Sequence, residues 1–150
     1  MALRLGEMLV KKGILRPEQV EEILQAQRGN ARPFGELAED LFGVSASDIQ
    51  DAWAGQLCDL ATRIDPACEH LDESVRNVIS RRQAWQFKIL PLRRDSMGLI
   101  LVTCPEYLPR AARFAAWHFG EPITFAITEP KLLEEALDDY YPLPGMHFAM

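Results

Sequence analysis

Apolar residues near the start of the chain recur at helical spacing, and the pattern then repeats. Leu5, Met8 and Leu9 form one stripe, and Gly13 marks its end. Pro17 suits the first turn of a following helix, where its missing N–H costs nothing. Val20, Ile23, Leu24 and Gln27 then share a face. Shifted by 29 residues, Arg4-Leu5-Gly6-Glu7-Met8-Leu9 falls on Pro33-Phe34-Gly35-Glu36-Leu37-Ala38. The same shift places Leu15 on Val44, Val20 on Ile49, Leu24 on Trp53 and Gln27 on Gln56. In the second unit Phe34, Leu37, Ala38 and Leu41 make the first stripe, and Ile49, Ala52, Trp53 and Gln56 the second. Ser45 is placed to cap the second helix, with Asp48 three residues on as its capping-box partner. The expectation is two helices per unit, four in all, joined by a connector from Arg28 to Arg32.

Beyond Asp59 the period changes. Asp72 to Ile79 reads as a helix, Phe87 to Leu92 as a strand, and Leu99 to Thr103 as its hairpin partner across an Asp95–Gly98 turn. Leu108 to Phe119 is an amphipathic helix with Ala111, Ala112, Ala115 and Phe119 inward. Ile123 to Ile127 reads as a third strand, and Pro130 opens a last helix carrying Leu133, Ala136, Leu137 and Tyr140. The fold class is therefore α+β, a tandem two-helix repeat followed by a small mixed sheet with flanking helices. The expected organisation is a repeat over 1–60, with motifs at 4–27 and 33–56, a small α/β subdomain over 61–143 and a tail over 144–150.

Composition narrows the function. A net charge of −6 argues against wholesale DNA or RNA binding, which needs a basic face. The three cysteines, Cys58, Cys68 and Cys104, have no CxxC spacing and read as reduced thiols, not a zinc site. No apolar run approaches the length of a membrane span, and the N-terminus lacks a signal-peptide core. A cytoplasmic location is the expectation. His70, His118 and His147 stand far apart without ligand-spaced partners, so no metal is expected. No phosphate loop and no Gly-Lys pair occur, and no serine has a nucleophile-elbow context, so the chain reads as non-catalytic.

The motif Arg4-Leu5-Gly6, Leu9-Val10, Gly13-Ile14-Leu15, Val20, Leu24 and Gln27 resembles the repeat of the MshEN domain, the N-terminal region of type II secretion and type IV pilus assembly ATPases. That family carries two motifs of 24 residues separated by five, and here Arg4–Gln27, Arg28–Arg32 and Pro33–Gln56 have those lengths. The later stretch Phe87-Lys88-Ile89-Leu90-Pro91-Leu92 and the closing Tyr140-Tyr141-Pro142 also resemble the family. Some members bind cyclic di-GMP across the two motifs. The resemblance thus implies a bacterial signalling module with a cyclic dinucleotide as ligand, no resident cofactor, and a secretion or pilus protein as partner.

Carried onto this chain, the implied ligand-binding residues are Arg4, Leu5, Gly6, Gln27, Arg32, Gly35 and Gln56. The chemistry is compatible. A small residue at a helix start lets phosphate reach free N–H groups, arginine stacks on guanine or pairs with phosphate, and glutamine offers donor and acceptor together. A packing reading is equally compatible: the glycines allow close helix contact and the glutamines are core-edge amides. The second motif departs from the family. Pro33 replaces its arginine, with Arg32 one place earlier; Ala38-Glu39 stand where two aliphatics are expected; and Phe42-Gly43 inverts the usual order. The second half-site is therefore weakened. The alternative function is a protein-docking adaptor without nucleotide binding.

One feature opposes the acidic total. Arg76, Arg81, Arg82, Lys88, Arg93 and Arg94 follow one another with no acidic residue between. They could meet an acidic partner or anionic ligand, or pair with acids such as Glu134 and Asp138. For Trp53, Trp85 and Trp117 core packing is the expected role, with an interface as the alternative for Trp85 beside Arg81 and Arg82.

Overall fold

The four helices of the tandem repeat are α1 (Leu5–Lys11), α2 (Pro17–Asn30), α3 (Phe34–Phe42) and α4 (Ala46–Ala52), the number and order the sequence pattern predicts. In the computed structural model residues 3–52 and 62–143 are described, with Leu3, Arg4 and Ala52 defined by backbone alone. The expected boundary at residue 60, the tail from 144, Trp53, Gln56, Cys58 and His147 lie outside the described residues.

The repeat is visible in individual hydrogen bonds. The amide of Leu15 donates to the carbonyl of Leu9, and its counterpart Val44 donates to Ala38, both at 3.3 Å. Arg16 and Ser45 precede the second helices of their units. The backbone N–H of Arg16 donates to Oε1 of Gln19 at 2.7 Å, and that of Ser45 to Oδ2 of Asp48 at 2.9 Å. In the second unit Gly43, at φ 71°, forms a Schellman cap, its amide bonding Glu39 at 2.9 Å. In the first unit the left-handed glycine, Gly13 at φ 74°, sits one register position earlier. Yet the same carbonyl receives the same amide, so the inverted Phe42-Gly43 order leaves the helix exit intact.

The second half adds β2 (Thr62–Arg63), α5 (Arg81–Phe87), β3 (Leu90–Asp95), β4 (Gly98–Thr103), α6 (Leu108–His118), β5 (Ile123–Ile127) and α7 (Pro130–Tyr140). A two-residue strand at Leu3–Arg4, β1, belongs to the same sheet. The sheet order is β1-β5-β4-β3, with β2 also on β5. β3 and β4 form the expected antiparallel hairpin, turned at Gly98 with φ 123°. Its register shifts between Pro91 and Arg93, where proline has no N–H to give the ladder. β4 and β5 are parallel, which requires a crossover, and α6 supplies it. β5 is buried at every position, as a strand covered on both faces must be.

One expectation needs correction. Phe87 does not begin a strand. It ends α5, and β3 starts at Leu90 after Lys88 takes the left-handed conformation at φ 52°. The segment expected as a helix over Asp72–Ile79 is a 3-10 helix over Glu73–Val78. Its cap Asp72 accepts the Ser74 amide at 2.9 Å, a bond that holds the carboxyl below its usual range. The strands β1 and β2 had no sequence signal. A single hydrophobic cluster runs from Leu5, Met8 and Phe34 of the repeat to Leu101, Phe125 and Leu137 of the sheet half.

Candidate functional site

Of the residues implied by the family resemblance, those described lie in β1, α1, α2, α3 and the connector before α3. Arg4 stands in β1, its backbone opposite Thr124 of β5. Leu5 is buried in the core at the start of α1. Gly6 follows it, and a β-carbon there would lie 2.6 Å from a Val20 methyl and 3.7 Å from the Phe34 ring. Gly6 therefore marks the point where α1, α2 and α3 meet. A cleft of about 110 Å³ opens beside it, lined by Leu5, Val20, Leu24, Phe34 and the carboxylate-bearing Glu7 and Glu21.

Gly35, the counterpart of Gly6, is placed differently. A β-carbon there would lie 2.6 Å from the Ala116 carbonyl oxygen and 2.7 Å from the Trp117 ring. The start of α3 thus rests on the end of α6. Four buried alanines, Ala111, Ala112, Ala115 and Ala116, line the inner face of α6.

Gln27, near the end of α2, meets Arg32 at the far end of the connector between the motifs. Gln27 is 3% exposed, its amide nitrogen donates to the Arg32 carbonyl at 3.2 Å, and its Oε1 has no partner among the described residues. It pins the place where the first unit hands over to the second. The Arg32 guanidinium donates to Glu36 at 2.7 and 3.1 Å and pairs with Asp40 as well. The hydrogen bonds to Asp40 and then Glu36 hold its pKa above the ordinary arginine value. An incoming phosphate would have to compete with two carboxylates for this side chain. The structure brings Gln27 and Arg32 together and sets Leu5 and Gly6 at the repeat junction. It separates Gly35 from that cleft by placing it against α6.

The basic segment is largely paired. Lys88 meets Glu134 at 3.6 Å, Arg93 meets Glu69 at 3.3 Å, Arg94 meets Glu121 at 2.8 Å, and Arg76 donates to the Tyr140 carbonyl at 2.9 Å. Sequence reasoning missed a different feature, the outer face of α6. There Arg110, Arg113, Phe114 and Trp117 border a groove of about 510 Å³, closed by Phe87 and Ala46. The signal was present: positions 110, 113, 114 and 117 are a helical stripe opposite the alanine face. Among the described residues no cluster of His, Cys, Asp and Glu could hold a metal, and no helix is long and apolar enough to cross a membrane.

The described residues define an α+β module in which a tandem two-helix repeat is built onto a mixed sheet. No family model matches the chain, and no curated protein matches it. Among solved structures, one of MshE with cdg is similar to it at 25% identity and a TM-score of 0.46, over 93% of this chain and 99% of that one.

Proposed function

We propose that the chain is a non-catalytic signalling module of the MshEN kind that takes cyclic di-GMP weakly, through its first repeat. The reading rests on the sequence resemblance of the two motifs. The observation that carries it further is the unequal setting of two equivalent glycines. Gly6 lines a cleft at the junction of both repeats, whereas Gly35 is covered by Ala116 and Trp117. In this reading one half-site remains, with Arg4 two residues before Gly6 as its arginine, while Arg32 is held by Glu36 and Asp40. Glu7 and Glu21 beside the cleft further weaken its attraction for phosphate.

Calorimetric titration with cyclic di-GMP tests this on wild type, Arg4→Ala and Pro33→Arg. The expected wild-type Kd is weaker than about 10 µM. Arg4→Ala should remove the binding, because the guanidinium supplies both stacking and charge. Pro33→Arg should tighten it by no more than about tenfold, the worth of one arginine contact. Tight wild-type binding that Arg4→Ala leaves unchanged would misplace the site. A second reading, a docking adaptor for a secretion or pilus system, draws support from the closure at Gly35. If none of the three proteins binds, that reading replaces the first.

A further inference from the structure

The outer face of α6 is built unlike the charged surface of the neighbouring hairpin. Arg93 and Arg94 in the neighbouring hairpin each have a carboxylate partner. Arg110 and Arg113 are exposed and make no ion pair among the described residues. They lie one turn apart on one helix face, which sets their side chains roughly 5–6 Å apart at the β-carbons. Beneath them runs a column of rings. Phe87 stacks on Phe114 at 4.1 Å between centroids, and Phe114 on His118 at 4.7 Å. The Arg110 guanidinium lies 5.5 Å from the Phe87 ring centre.

These contacts decide what the groove can hold. Both faces of Phe114 are occupied, and one side of Phe87 carries Arg110, so the column offers edges and not an open face for a nucleotide base. What remains is an apolar trough between Ala46, Phe114 and Trp117, flanked by two guanidinium groups with no carboxylate partner among the described residues. Arginine and tryptophan around a partly apolar centre, with no lysine or carboxylate among the lining residues, is the composition of a protein-binding hot spot. We infer that this groove docks an acidic amphipathic segment of a partner protein. Two of its carboxylates pair with Arg110 and Arg113 while an apolar side chain between them enters the trough. The inference is independent of the cyclic dinucleotide reading, since it shares no residue with the cleft at Gly6.

The probe is a fluorescein-labelled helical peptide bearing glutamates one turn apart around a leucine, titrated by anisotropy into the intact protein. Saturable binding is expected, weakened at least about tenfold in Arg110→Glu/Arg113→Glu, as for reversed charges facing a carboxylate pair. It should also weaken as salt rises and screens the pairs. A glutamine version of the peptide should bind as poorly as the reversed-charge protein. Circular dichroism controls for folding, and Arg110→Lys/Arg113→Lys, which keeps the charge, should recover part of the affinity. The inference is overturned if the peptide does not saturate the wild type, or if the reversed-charge protein binds it equally well. It is also overturned if GMP binds with the same arginine dependence, which would make the groove a nucleotide site. A wild-type dimer in sedimentation that Arg110→Glu/Arg113→Glu dissociates would make the occupant a second copy of the chain, and would likewise overturn it.

Discussion

Gly6 and Gly35 share one position in the repeat and face different walls. At Gly35 the wall is the Ala116 carbonyl and the flat of an indole, neither of which can turn aside. At Gly6 the overlap is with one methyl of Val20. Gly35→Ala should therefore cost about 1–3 kcal/mol of stability, the usual range for overpacking a filled site. Gly6→Ala should cost less. Urea denaturation of both variants measures the difference, and a larger loss at Gly6 would contradict the packing described. The sequence shows both glycines in register, but not which is walled in, because the wall is α6, far along the chain. Likewise Arg32 is legible as a cation near the second motif. That Glu36 and Asp40 hold it depends on α3 winding their carboxylates back toward the connector.

Among the elements, those with strong local signals formed where the pattern placed them. Helices α1 to α4, α6 and α7 and strand β5 follow apolar period, proline at the first turn or a capping pair. Helix α5, which the apolar pattern passes over, carries a signal of the same kind. Ser80 Oγ accepts the Gln83 amide at 3.1 Å, and Gln83 Oε1 accepts the Ser80 amide at 2.9 Å. The S-x-x-Q pair was readable, but the apolar run behind it suggested a strand one turn too early. Ser80→Ala should cost about 1 kcal/mol through the lost cap. A fall in thermal midpoint, absent in Ser80→Asp, checks it. Strands β1 and β2, two residues each, hold no periodicity to read, since their only determinant is the edge of β5.

On the scale of the whole molecule, the end of α7 is tied to residues more than fifty positions earlier. Tyr141 Oη donates to the Arg76 carbonyl at 2.7 Å, and Trp85 Nε1 donates to the Tyr141 carbonyl at 2.7 Å. Burial pushes the Tyr141 phenol up to about 12, partly opposed by the charge of Arg76. The folded state thus keeps a proton that the unfolded chain releases near pH 10. This stabilisation is complete below that pH and is lost as pH rises through the folded value, a change of at most about 3 kcal/mol. Alkaline titration followed by tyrosinate absorbance should show one tyrosine ionising last and together with unfolding. Tyr141→Phe should remove that late step. If the step persists in Tyr141→Phe, another group carries it.

The two short strands on β5 have a consequence for the chain's layout. The repeat leaves the sheet at Arg4, opposite Thr124, and the chain rejoins it at Thr62, opposite Ala126. Its points of departure and return are neighbours on one strand, so the repeat begins and the second half resumes side by side on β5. Insertions in the exposed turns of the repeat should cost little entropy, because closing a loop between fixed neighbours depends only weakly on its length. Among the described residues, β5 and the packed seam with α6 are two routes by which a force on the repeat reaches the rest of the sheet. Those two routes meet where β5 follows α6, around Gly120 and Pro122.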